Sequence, residues 1–143
     1  MIDRAALSAA LTGFPPRLAF AARSMSGRPV PEGEWTPEQV VRHLIAVETE
    51  VHQSRLRDLA TVADPHWEWT EPGPWPGEPE LDIDALLARF GALRRETLDT
   101  LAALDEDGWA RTGTHAHFGI WDVGGLVRNA IDHDAEHLAG LTS

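Results

Sequence analysis

The sequence predicts an all-α four-helix bundle. Three observations carry that reading. Apolar residues recur at helical spacing in separate segments, capping signals open two of them, and no segment shows sustained β alternation. Two long connections divide the four helical segments of that bundle.

The first segment, about residues 3–26, is helix-prone but contains Phe14-Pro15-Pro16. Proline inside a helix removes a backbone donor and crowds the preceding turn. A short helix, a break and a second piece through Arg17–Ala22 are therefore expected. A Pro/Gly-rich connection, Gly27–Trp35, leads to the clearest helix start, Thr36-Pro37-Glu38-Gln39. Thr36 suits the N-cap, Pro37 the first turn, and Gln39 completes a capping box. Val40, Leu44, Val47 and Val51 follow on one helical face, with His43 beside the stripe. Residues 65–80 form a loop carrying Trp67, Trp69 and Trp75. The third helix runs from about Ile83 to Leu104, with Leu86, Leu87, Phe90, Leu93 and Leu101 inward. Residues 105–121 are a second connection, and Asp122 suits the N-cap of the last helix. There Val123, Leu126, Ala130, His133, His137 and Leu141 share a face.

The 143 residues fit one domain, 1–143, with enough length for a well-buried core. Apolar runs fall far short of the roughly 18–20 residues of a membrane helix, and the N-terminus lacks the pattern of a secretory signal. A cytoplasmic protein is the expectation. The net charge of −11 opposes nucleic-acid binding, and all twelve basic residues are arginine. With no cysteine, disulfides, thiolate ligands and a thiol nucleophile from the chain itself are excluded.

The most informative residues are histidines. His133 and His137 lie at i and i+4, so both rings project from one helix face and can reach one ion at about 2.0–2.1 Å. His43, on an earlier helix, would complete a three-histidine site. Two readings stand at this point. Each ring can be a core histidine with its own hydrogen-bond partner, or one divalent cation can satisfy all three. His52 falls roughly opposite His43 and is expected in solvent. His66 lies in the aromatic loop. His115 and His117, entering the last helix, can line a cleft or simply be exposed.

Asp132, Asp134 and Glu136 surround the paired histidines, and Asp134 is a candidate to orient a ligand ring through its back nitrogen. A solvated helix face explains the same charges. Glu48 and Glu50 follow His43 at spacings awkward for shared ligation. Trp35 and Trp109 suit loop-to-core anchors, and Trp67, Trp69 and Trp75 can wall a pocket.

Trp35-Thr36-Pro37-Glu38-Gln39-Val40-Val41-Arg42-His43-Leu44, followed by Glu48, resembles the second-helix signature of DinB-like proteins. The stretch Trp109–Gly119 resembles their approach to the last helix, and His133-Asp134-Ala135-Glu136-His137-Leu138 resembles the terminal motif. The resemblance spans nearly the whole chain. It includes bacillithiol S-transferases and the N-terminal domain of mycothiol-dependent maleylpyruvate isomerase. It implies an up-down-down-up bundle, often dimeric, with His43, His133 and His137 holding zinc or nickel. Two positions depart from the pattern. Ala46 stands where many members have Asp, and Gly140 where many have Gln.

The resulting expectation is a metal-dependent enzyme acting on a small molecule, by transfer of a low-molecular-weight thiol to an electrophile or by hydrolysis. The alternatives are a non-catalytic stress-response or ligand-binding bundle with a vestigial site, and a metal that only staples helices. Glu48, His115, His117 and Asp134 are the candidates for lining or supporting the site. A homodimer is expected from the exposed face such a unit leaves.

Overall fold

Four helical rods pack side by side in the computed structural model, which describes residues 3–142. They are α1 (Arg4–Met25), a composite second rod, α4 (Ile83–Ala102) and α6 (Val123–Thr142). The second rod joins α2 (Pro37–Val47) to α3 (Ser54–Thr61) through a π-helical stretch, Glu48–Gln53. Its start obeys local sequence chemistry. Thr36 caps the Gln39 amide, and the Gln39 side chain returns to the Thr36 amide. Asp82 and Asp122 cap α4 and α6 by bonding the amides of Ala85 and Gly125.

Two apolar clusters fix the directions of the rods. Leu11 from the first half of α1 packs with Leu59, Leu101 and Leu126, near the ends of α3 and α4 and the start of α6. Phe14 and Leu18 from further along α1 pack with Leu44, Leu86, Phe90 and Leu141. Hence α1 and α6 run one way and the other two rods run the other, giving up-down-down-up. The segment between α3 and α4 must cross the length of the bundle. Among the described residues, no helix is long and apolar enough to cross a membrane.

Three short strands depart from the all-helical expectation. β1 (His66–Trp67) pairs parallel with β2 (Gly113–His115), which pairs antiparallel with β3 (Gly119–Trp121). Strands of this length are too short to display alternation in a sequence. Their effect is positional, because they tie the crossover to the approach of α6. Gly113 permits the tie, since a Cβ there would lie 2.5 Å from the Trp67 ring. The second connection also holds a short helix, α5 (Glu106–Ala110), which seats the buried Trp109.

The expected break at Pro15-Pro16 does not occur, and α1 is continuous through both prolines. Pro15 cannot donate to the Leu11 carbonyl, so that oxygen is left open inside the bundle. Arg94 Nη1 fills the vacancy at 3.1 Å. The proline pair is therefore tolerated because a neighbouring helix supplies the missing donor.

Arg94 itself lies in a layer between the apolar clusters and is 1% exposed. Its Nε and Nη2 donate to Glu48 at 3.1 Å each, and Nη1 and Nη2 donate to Asp134 at 2.9 Å each. Thr97 adds a hydroxyl bond to Glu48 at 2.7 Å. With the Leu11 bond, every N–H of the guanidinium is used, and all four rods meet at one side chain.

Removing that cation would leave two buried carboxylates without a counter-charge, Glu48 keeping only its Thr97 hydroxyl bond. Arg94→Met is expected to lose about 3–5 kcal/mol of stability. The triple change Arg94→Met with Glu48→Leu and Asp134→Leu is expected to recover most of it. Urea denaturation of the two variants checks the pair of outcomes.

Candidate metal centre

His43 enters the site from α2, with its ring wholly buried. Its Nδ1 lies 2.7 Å from the Pro72 carbonyl, an oxygen that can only accept. The proton is therefore on Nδ1, and Nε2 offers a lone pair. That Nε2 is buried without a hydrogen-bond partner. Opposite it, α6 presents His133 and His137 one turn apart, with their Nε2 atoms 3.2 Å from one another. The crossover loop contributes Glu71, whose Oε1 is 3.4 Å from His43 Nε2 and 3.8 Å from His133 Nε2.

The four ligand atoms of His43, Glu71, His133 and His137 lie within 4.8 Å of one another. A tetrahedral ion with bonds of about 2.0–2.1 Å separates its ligands by roughly 3.3 Å. The observed spacings bracket that value, and the donors are imidazoles and a carboxylate, which suit zinc or nickel. The residues fit a divalent cation. The orphaned His43 nitrogen is the atom such an ion would satisfy.

Electrostatics favour the metal-binding protonation state. Burial, then the neighbouring His137, His52 and His43, and then Arg94 push the His133 pKa down to about 3. Burial and then His43 lower His137, against a smaller opposing pull from Glu136. Both rings are thus neutral at ordinary pH, as ligation requires. His133 Nδ1 is buried without a hydrogen-bond partner among the described residues, and neighbouring Asp134 bonds Arg94.

The other sequence candidates are distributed differently from expectation. Asp134 and Glu48 support the bundle through Arg94 and orient no ligand ring. Two carboxylates share one guanidinium, and their pKa values diverge. Burial raises Asp134 to about 6, even though Arg94 pulls it down. Burial also works to raise Glu48, but Arg94, His52 and the hydrogen bonds outweigh it and hold the group below its usual range.

His52 is 4% exposed, in contrast to the solvated position expected for it. At about 100° per residue a regular helix would place it opposite His43. The wider π turn spanning Glu48–Gln53 lags that phase and brings His52 round to the cavity beside His133. Burial lowers it to about 4 against the pull of Glu48, with Arg94 and Arg55 adding to the decrease.

That cavity, about 440 Å³, lies between the second rod and α6 and touches Glu71, His133 and His137. His115 is on its wall, while exposed His117 sits outside against Trp69. Of the tryptophans, Trp69 lines the cavity, and Trp67 is a core residue bonded to Asp58. Trp75 packs between Arg42 and Arg89, away from it. Trp35 is 39% exposed, yet its ring lies 4.8 Å from that of His43 and covers the centre. Glu71 and Arg94 escaped the sequence reading. A glutamate in a proline-rich loop and an arginine amid α4 leucines carry no spacing signal, since tertiary packing alone sets their partners.

The DinB superfamily model matches residues 2–140. The chain belongs to the DinB superfamily. A solved structure of YfiT from Bacillus subtilis superposes with a TM-score of 0.75 at 21% identity, covering 99% of this chain and 87% of that one. YfiT is described as "a probable metal-dependent hydrolase with an unusual four-helix bundle topology". The likeness confirms the DinB-like four-helix fold. No curated protein sequence matches this chain.

Two measurements test the centre. Untagged protein is expected to bind about one equivalent of zinc or nickel, and His133→Ala to lose most of that binding, as read by titration with elemental analysis. The second concerns metal-free protein in EDTA. The folded values of His133 and His52, about 3 and about 4, lie below their unfolded values near 6.5. Unfolding therefore takes up protons between those limits, and stability falls as pH falls, by up to about 1.4 kcal/mol per pH unit for each group. Asp134, raised to about 6, acts in the opposite sense and offsets one of the two. A net loss of stability from pH 6.5 to 4.5 is expected in denaturation curves, and a flat or rising profile contradicts it.

Proposed function

We propose that this DinB-superfamily chain is a metal-dependent enzyme that hydrolyses a small molecule held in the cavity beside His133 and His137. The observation that carries the reading is the convergence of His43, Glu71, His133 and His137 within 4.8 Å at the wall of a 440 Å³ cavity. Cavities of about 300–1,000 Å³ suit small-molecule ligands. A divalent ion held by His43, His133 and His137, with Glu71 beside it and free to act as a base, would supply Lewis acidity and lower the pKa of a coordinated water or thiol.

The remaining roles fall to groups of the chain. The Pro72 carbonyl holds the Nδ1–H of His43 and so orients the ring with Nε2 toward the centre. At position 46, Ala46 is buried in the core. Glu71, half-exposed on the loop, is placed to accept a proton from the nucleophile at the edge of the centre.

A second reading keeps the centre and changes the nucleophile to a low-molecular-weight thiol, giving S-transfer to an electrophile. The cavity favours it to the extent that it holds far more than a water molecule. Because the chain has no cysteine, the thiol would come from a diffusible cofactor. The non-catalytic and purely structural readings predict a metal without turnover. A homodimer is part of the proposal as well, supported by Phe20 and Ile120, which are 77% and 73% exposed.

Metal-loaded protein is expected to hydrolyse at least one member of a panel of small esters, amides and lactones. Glu71→Gln is expected to reduce kcat by about 10²–10⁴-fold while retaining the ion. The same preparations assayed with low-molecular-weight thiols and chlorodinitrobenzene separate the second reading. Inactivity in both assays with a full equivalent of metal would leave the structural reading.

A further inference from the structure

Arg55 is a buried cation with no carboxylate partner among the described residues. It opens onto the cavity from α3, immediately after the π turn, and is 7% exposed. Its only hydrogen bond among the described residues is a 3.3 Å contact from Nη2 to the Glu68 carbonyl. Its guanidinium lies 5.8 Å from the centre of the Trp67 ring. No ion pair to it is formed among the described residues. Arg94, buried in the same bundle, has two carboxylates and every N–H satisfied. A buried guanidinium carries a desolvation cost that an anion offsets. At Arg55 the described residues supply none.

The neighbouring groups have the same polarity. Nδ1 of His115 accepts from the amides of His117 and Phe118, at 3.0 and 3.2 Å. The proton must therefore sit on Nε2, and the ring, 2% exposed on the cavity wall, is a neutral donor. Burial and then the nearby charge of Arg55 hold His115 below its ordinary pKa, which keeps it in that form. His52 completes this wall and has its own partner in Glu48 only through longer-range attraction. The carboxylates that touch the cavity, Glu71, Asp132 and Glu136, are all exposed, and none pairs with Arg55. Val47, Val51 and Phe118 also line the cavity and give it apolar surface suited to a hydrocarbon body.

We infer that this wall is an anion subsite, in which Arg55 and the His115 Nε2–H bind the carboxylate of a small organic acid. The subsite itself requires no metal. Only its use as a substrate anchor, with the far end of the molecule directed to the histidines and Glu71, rests on the function proposed above. A monoanion is the matched charge. One guanidinium faces a cavity rimmed by three carboxylates in a chain of net charge −11, so a phosphate dianion would be under-compensated.

The test uses EDTA-treated full-length protein and benzoate as the probe, with benzamide as its neutral counterpart and phenyl phosphate as the dianion. Binding is followed by tryptophan fluorescence, since Trp69 lines the cavity, and by the imidazole resonances of His115. Benzoate is expected to bind at least about tenfold more tightly than benzamide, a difference of about 1.4 kcal/mol. Arg55→Gln is expected to abolish that preference and Arg55→Lys to retain part of it. Zinc titration separates the subsite from the metal centre. Arg55→Gln should bind zinc as the unaltered chain does, and His133→Ala should lose zinc yet keep benzoate.

The inference is overturned if benzoate fails to bind, binds no better than benzamide, or binds Arg55→Gln unchanged. Tighter binding of phenyl phosphate than of benzoate overturns the assignment to carboxylates. Should Arg55→Gln fail to fold, the benzoate–benzamide comparison on the unaltered chain and on Arg55→Lys decides the matter.

Discussion

The guanidinium of Arg94 is the point on which the bundle is organised. From α4 it reaches a backbone oxygen of α1, a carboxylate at the start of the π turn and a carboxylate of α6. A buried charge is costly, and a pair of buried carboxylates is costlier, so each makes sense only in the presence of the others. Such an arrangement is a weak source of net stability compared with apolar packing. Its strength is geometric, because five directed hydrogen bonds admit few alternative alignments of the rods.

That alignment is what brings the histidines together. Asp134, fixed to Arg94, is the neighbour of His133 and lies within one turn of His137, so the rotation of α6 is set at the centre itself. Glu48 does the same for the second rod, five residues beyond His43. The π turn beginning at Glu48 then directs His52 and Arg55 into the cavity. One ionic layer therefore positions the ligand cluster on one side and the proposed anion subsite on the other.

The sequence made the metal cluster partly legible because its signal is local. His133 and His137 are one turn apart, and the capped helix of His43 has an unmistakable start. Glu71 was invisible for the opposite reason. It comes from a loop whose course depends on packing, including the bond from Trp75 to the Arg42 carbonyl and the bonds from the Arg42 side chain to Trp75 and Gly77. The proline pair misled because intrinsic helix preference was overridden by a donor from a helix distant in sequence. His52 misled because a regular period was assumed across a π turn.

What the sequence determined by itself was four main helical segments, the capped starts at Thr36 and Asp122 and the likeness to DinB proteins, all properties of short windows and motif order. It also placed three histidines on inward-facing stretches, because spacing within a helix fixes which side chains share a face. Only the tertiary structure decided which charges are buried together. Glu48 and Asp134 became the counter-ions of Arg94, Glu71 joined the histidines, and Arg55 was left without a carboxylate among the described residues. Those pairings join residues tens of positions apart, and their energies depend on exclusion from water. No local pattern encodes that exclusion, which exists only once the rods have closed around it.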